Sequence, residues 1–247
     1  MKLLKTLVAA AAFAASASAF ATPVSLGGEA PDLQTILNNM HAVNPASTAP
    51  DVNNDQLDEV GLFKIEASAF SPTVLAIEIA GNQGFNAFGI YDPYNLSNSL
   101  QLFAGAASAG SAAVLYVNGA NQFSLFGVPG STVNFSSSIF GYYLSGPGGM
   151  FYSQAFRNGG DDHMVAYQGD GDEIQLLQNG YIGPWGSSSL IMAWEDVAFQ
   201  NNSDRDYNDF VVYVESIKAV PEPGSLALLG LGLAGLAVAA RRKQKQA

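Results

Sequence analysis

From Gly61 onward, short runs rich in β-branched and aromatic residues recur about every ten residues, separated by turn residues. Gly61–Ala69, Thr73–Ala80, Ala87–Tyr91, Leu100–Phe103, Ala112–Val117, Thr132–Phe135 and Phe140–Leu144 read as strands. So do Met150–Phe156, Met164–Tyr167, Glu173–Leu177, Leu190–Trp194 and Phe210–Ile217. Asn-Gly pairs at 118–119, 158–159 and 179–180 supply turn chemistry. This spacing predicts an all-β fold, a jelly-roll-like β-sandwich. In Thr73–Ala80, Leu75, Ile77 and Ile79 share one face while Val74, Ala76 and Glu78 take the other, so one side of that strand must be dry. No repeat of fixed period argues for a propeller or solenoid.

One short N-terminal helix precedes the strands. Leu33, Ile36, Leu37 and Met40 fall at helical spacing over Pro31–Val43, with Asp32 placed as N-cap and His41 at the end facing the dipole. The ends of the chain read differently. Met1–Ala21 has Lys2 and Lys5, an apolar run and small residues before Ala21, the pattern of a signal peptide cut after Ala21. At the other end, Ser225–Ala240 is an uncharged run expected to form a hydrophobic helix, followed by Arg241-Arg242-Lys243. At about 1.5 Å per residue it is a short span of the membrane, and its basic end belongs on the cytoplasmic side. The expected organisation is signal peptide 1–21, helix and acidic linker 22–60, β-sandwich 61–219 and C-terminal tail 220–247.

Charge sharpens the reading. Only four of the ten Lys and Arg, but all except one of the 21 acids, lie within Thr22–Val220, so that region carries a net charge of −16. Such a surface disfavours nucleic acid and suits divalent cations. Cysteine is absent, which removes disulfides, thiol catalysis and thiolate-bound metals, and leaves packing or a bound ion as sources of rigidity.

The acids concentrate in Trp194–Ile217, where Glu195, Asp196, Asp204, Asp206 and Asp209, with Asn208, crowd around one local cation, Arg205. Carboxylates this dense repel one another unless solvated or neutralised by a hard cation, and oxygen donors are what Ca²⁺ selects. The predicted Ca²⁺ ligands are Glu195, Asp196, Asp204, Asp206, Asn208 and Asp209, joined in space by Asp162; the alternative is a solvated acidic loop. An EF-hand is excluded: Asp209 stands where glycine is required, and the strand Phe210–Val214 carries Glu215 roughly 20 Å away. Asp51, Asn53, Asp55 and Asp58 read equally as a second Ca²⁺ site or as a solvated connector. Asp161, Asp162 and His163 lie at one end of a strand and Asp170, Asp172 and Glu173 at the other, too far apart to share an ion. His163 reads as a structural histidine.

The tail Val220-Pro221-Glu222-Pro223-Gly224, its hydrophobic run and its basic end closely resemble the PEP-CTERM sorting signal of Gram-negative bacteria, with Pro221, Glu222 and Pro223 as the motif. That resemblance implies transient tethering in the inner membrane, processing by an exosortase, and release to the cell surface or extracellular polymer. The body, through Asn86–Asp92, Asp162–Tyr167 and Ala193–Val212, resembles the β-rich domain of unknown function that often precedes such tails, over most of Gly61–Ile217.

The function expected is that of a non-enzymatic, Ca²⁺-stabilised protein of the cell surface or of a biofilm matrix, with exopolysaccharide as a partner. The alternative is a secreted glycoside hydrolase using paired carboxylates such as Glu195 and Asp162. No nucleophile elbow, zinc motif or phosphate loop accompanies them. A third reading is a subunit that polymerises through edge strands near Ala104–Ala113. Trp185 reads as a loop aromatic packed on the sandwich edge, with sugar stacking as the alternative.

Overall fold

The computed structural model describes residues 22–42, 48–57, 60–66, 69–78, 84–176 and 180–220. The expected signal peptide and the tail beyond Val220, with Pro221, Glu222, Pro223 and the hydrophobic helix, lie outside them, as does Asp58. Among the described residues no helix is long and apolar enough to cross a membrane.

The chain runs α1 (Leu33–His41), β1 (Leu62–Ile65), β2 (Phe70–Glu78), β3 (Ala87–Asp92), β4 (Asn95–Phe103), β5 (Ala112–Val117), β6 (Gln122–Leu125), β7 (Val133–Asn134) and β8 (Ile139–Gly146). It continues through β9 (Gly149–Tyr152), β10 (Met164–Gln168), β11 (Asp172–Leu176), β12 (Tyr181–Trp185), β13 (Leu190–Trp194), β14 (Phe210–Val214) and β15 (Ile217–Val220). The first sheet has the order β15-β1-β8-β3-β4, with β9 also on β8; the second has the order β10-β13-β14-β2-β5-β6-β7. The protein is thus an all-β sandwich with one short N-terminal helix.

Alternation along the strands places one face of each sheet in a shared core. Phe63, Phe88, Phe140 and Tyr142 of the first sheet meet Leu75, Leu115, Met192, Trp194, Phe210 and Val212 of the second. Phe88 spans the gap: it stacks on Tyr142 at 5.3 Å and meets Trp194 at 5.7 Å and Phe210 at 5.3 Å. Each such side chain stabilises the sandwich by about 1.5–3 kcal/mol.

A third layer covers part of the second sheet's outer face. There α1, capped by Asp32 accepting from Thr35 N–H at 2.7 Å, presents Leu33, Ile36, Leu37 and Met40. With the β11–β12 hairpin it packs on Val165, Tyr167, Ile191, Ala193, Val211 and Tyr213. Being covered on both faces, β13 and β14 are buried at every position, which explains their unbroken apolar sequences. The segment 22–60 therefore contributes a helix and loop to the packed body.

Several details differ from the sequence reading, the strand β6 (Gln122–Leu125) being one that it lacks. Trp185 is no loop residue: it lies in β12, is buried in this outer core and meets His41 edge-on at 4.7 Å. Its strand was hidden by Gly183 and Pro184, tolerated because β12 pairs only with β11. Phe210–Ile217 is two strands in different sheets, separated at Ser216 with φ +59°. Met150–Phe156 is a shorter strand followed by a 3-10 turn at Ala155–Asn158.

Candidate functional site: the carboxylate loop between β13 and β14

Antiparallel pairing of Trp194 with Phe210 means that the loop 195–209 leaves and returns at one spot. Glu195 and Asp209, the first and last residues of the loop, are therefore neighbours. Asp209 Oδ2 accepts the Asp196 N–H at 2.9 Å, and its carboxyl group is hydrogen-bonded to that of Glu195. The loop turns through a 3-10 segment at Phe199–Asn201 and left-handed residues Asn202, Arg205 and Tyr207. Those turns bring Asp204 and Asp206 back over Glu195. One carboxylate oxygen from each of Glu195, Asp204 and Asp206 lies within 4.8 Å of the other two.

Most of this cluster is inside the protein. Glu195, Asp196, Asp206, Asn208 and Asp209 are buried, while Asp204 is exposed. Burial pushes Glu195 up to about 7. It pushes Asp209 up to about 9, with repulsion from Asp196 and Glu195 adding to the effect. Asp206 is raised by burial and by the adjacent Asp204. Arg205, the local cation, places its guanidinium 4.3 Å from the centroid of the Phe199 ring.

The other predicted ligands surround this trio. Asp196 Oδ2 accepts from Asn86 Nδ2 at 2.7 Å. Asp162 is not one of the three: its carboxylate accepts from the Thr22 hydroxyl at 2.9 Å and the Met164 N–H at 3.3 Å, and its carbonyl accepts from Tyr207 OH at 2.5 Å. Burial raises its carboxyl group too. Asn208 Nδ2 donates to the carbonyls of Glu29 and Pro31, both at 3.1 Å. Its Oδ1 is buried with no hydrogen-bond partner, as is Asn86 Oδ1. A buried amide oxygen without a donor is costly. In the same loop as three crowded carboxylates, the Asn208 oxygen is a donor of the kind Ca²⁺ takes. Glu195, Asp204 and Asp206 could hold a hard cation, and Asn208, two residues beyond Asp206, carries a further oxygen of suitable chemistry.

Sequence reading missed the strap that closes the loop. Ser25 N–H donates to the Arg205 carbonyl at 2.8 Å, and Glu29 N–H donates to Asp206 Oδ2 at 3.1 Å. Gly28 packs against the carboxylates of Asp204 and Asp206. Asn86 carries part of the family resemblance in sequence, but as one amide far away in the chain it has nothing to mark it as a neighbour of this loop. Only the Gly27-Gly28 pair within 25–29 is a signal for a close backbone approach.

The remaining sequence candidates have other partners. Asp51 Oδ1 accepts from the amides of Asn53 and Asn54 at 2.9 and 3.0 Å, and Asp55 Oδ2 from Asp51 N–H at 2.7 Å, so these oxygens serve the connector's own turn. Asp170 Oδ1 accepts from Asp172 N–H at 3.0 Å at the far end of β10. His163 is sandwiched between Phe151 and Phe199 at 3.9 and 4.5 Å, with Nδ1 3.1 Å from the Glu195 carbonyl, and burial lowers its pKa. Glu215 accepts from the hydroxyls of Tyr181 and Tyr213 at 2.7 and 2.9 Å.

Fold and loop together define a two-sheet β-sandwich with a buried carboxylate cluster between adjacent strands. Residues 109–217 match the family model described as Domain of unknown function (DUF4114), and residues 219–243 match the PEP-CTERM protein-sorting motif. A stretch similar to the PEP-CTERM sorting motif thus follows a stretch similar to DUF4114. The match to the domain starts between β4 and β5 and stops short of the Gly61 start expected from sequence, although β1 to β4 complete both sheets. No curated protein matches the sequence. The sorting motif implies an exported protein, sorted to the cell surface by exosortase.

Proposed function

We propose that this is a non-enzymatic surface or extracellular-matrix protein whose sandwich is stabilised by Ca²⁺ at the 195–209 loop. The observation that carries the reading is the convergence of carboxylate oxygens from Glu195, Asp204 and Asp206, in a loop where the buried oxygen of Asn208 has no hydrogen-bond partner. A bound Ca²⁺ neutralises their repulsion and joins β13 and β14 to the N-terminal strap. Transit through the inner membrane, exosortase processing and retention by biofilm exopolysaccharide complete the proposed route.

Glu195 and Asp206 are closed off beneath the strap, at 1% and 0% exposure, which favours an ion over a sugar substrate. The alternative of a glycoside hydrolase requires a sugar to reach Glu195. Calorimetric titration of the exported chain with Ca²⁺ and then Mg²⁺ separates these readings. Saturable Ca²⁺ binding that Asp206→Asn abolishes supports the proposal. Absence of binding heat together with an unchanged melting temperature in EGTA would overturn it.

A further inference from the structure

Between Asp92 and Arg157 the chain contains no Asp, Glu, Lys, Arg or His. This stretch supplies β4 to β9, so the β5-β6-β7 end of the second sheet is electrically neutral in a chain of net charge −11. The third layer packs on β10, β13 and β14, with Val74 of β2 at its margin. Further along, Phe70 at the start of β2, Tyr116 on β5 and Phe126 just after β6 form one aromatic group. Phe70 lies 4.9 Å from Tyr116 and 5.5 Å from Phe126, whose ring stands at 85° to it. Phe126 is 67% exposed and Phe70 37%. Ser124 faces Tyr116 across the ladder.

We infer that Phe70, Tyr116 and Phe126 form a docking corner for an uncharged glycan. The flat CH face of a pyranose ring stacks on one aromatic ring and abuts another, while the Ser124 and Tyr116 hydroxyls take its OH groups. Charge selects this occupant. A basic protein is drawn to the carboxylate-rich parts of the molecule and finds no counter-charge here, and a polyanion is repelled by the net charge. Size argues against a second copy of the chain: three rings are far fewer than the roughly 20–30 residues a side of a stable interface. The inference rests on the extracellular location proposed above and is independent of the Ca²⁺ site.

The test is affinity electrophoresis of the exported chain in native gels containing hydroxyethylcellulose, with Ca²⁺ present. Retardation is expected, weakened about tenfold by Phe126→Ala and again by Tyr116→Ala, and retained in Phe126→Trp. Phe126 is exposed, so its variants should melt like the parent. Four outcomes would overturn the inference: no retardation of the parent, equal retardation of Phe126→Ala, stronger retardation by anionic alginate, or a dimer in light scattering that Phe126→Ala disperses. Retardation abolished by EGTA but kept in the aromatic variants would assign glycan binding to the carboxylate loop and also overturn it. Failure of Ca²⁺ titration alone would leave it standing.

Discussion

Gly28 lies so close to Asp206 that a Cβ at this position would overlap the carboxylate of Asp206 and that of Asp204 as well. The backbone of the strap thus forms one wall of the cluster, and only glycine leaves room for it. Gly28→Ala must displace the strap or the buried Asp206, with an overpacking cost of about 1–3 kcal/mol. Denaturant melts with and without Ca²⁺ should show lower stability in both, and a smaller gain on adding the ion. A variant within about 0.5 kcal/mol of the parent under both conditions would separate strap from site.

Acid should stabilise the ion-free protein. Burial holds Glu195 up at about 7 and Asp209 at about 9, above the ordinary 4.5 and 3.8 of these groups. The folded chain therefore keeps protons that the unfolded chain releases. Their contribution is complete below the unfolded values and is lost as pH rises through the folded ones. In EGTA the melting temperature is expected to fall from about pH 5 to about pH 8. With Ca²⁺ the fall should flatten or reverse, because the ion binds the deprotonated carboxylates. Parallel pH curves with and without Ca²⁺ would refute this coupling.

What was legible in the sequence was local. The helix announced itself through Leu33, Ile36, Leu37 and Met40 behind an Asp32 cap, and the acidic loop through the density of its carboxylates. Sequence separation hid the rest. Gly28 and Asp206 are brought together only when α1 docks on the outer face of the second sheet, and no pattern within either segment encodes that contact. Trp185 was misread because Pro184 and Gly183 suppress the strand signal, although a two-stranded hairpin tolerates both. Alternation in β2 placed Leu75 correctly, whereas β13 and β14, covered on both faces, show no alternation to read.

Tyr207 links the loop to β10 by donating its hydroxyl to the Asp162 carbonyl at 2.5 Å, from a backbone at φ +54°. Tyr207→Phe removes that donor and leaves the ring packed. A loss of about 1 kcal/mol in urea denaturation is expected, the usual net value of one such bond. If the bond also orients the loop, Ca²⁺ affinity should fall in the same variant. Unchanged stability and affinity would reduce Tyr207 to a packing residue.

At Ser216 the chain leaves the second sheet, where Glu215 N–H donates to the Pro72 carbonyl at 2.9 Å, and enters the first, where Ile217 pairs with Ile65. The crossing is made at φ +59°, and the Ser71 hydroxyl fixes the Glu215 carbonyl at 2.6 Å. A left-handed residue with a side chain carries a cost that glycine avoids, roughly 1 kcal/mol, partly offset by the greater freedom of glycine in the unfolded chain. Ser216→Gly should therefore be neutral to slightly stabilising. Ser216→Val, β-branched at the same angle, should destabilise by about 1–2 kcal/mol. The two variants measured together by thermal melting test whether the crossover conformation is strained. Equal melting temperatures would mean that the surrounding hydrogen bonds, rather than the residue at 216, set the path between the sheets.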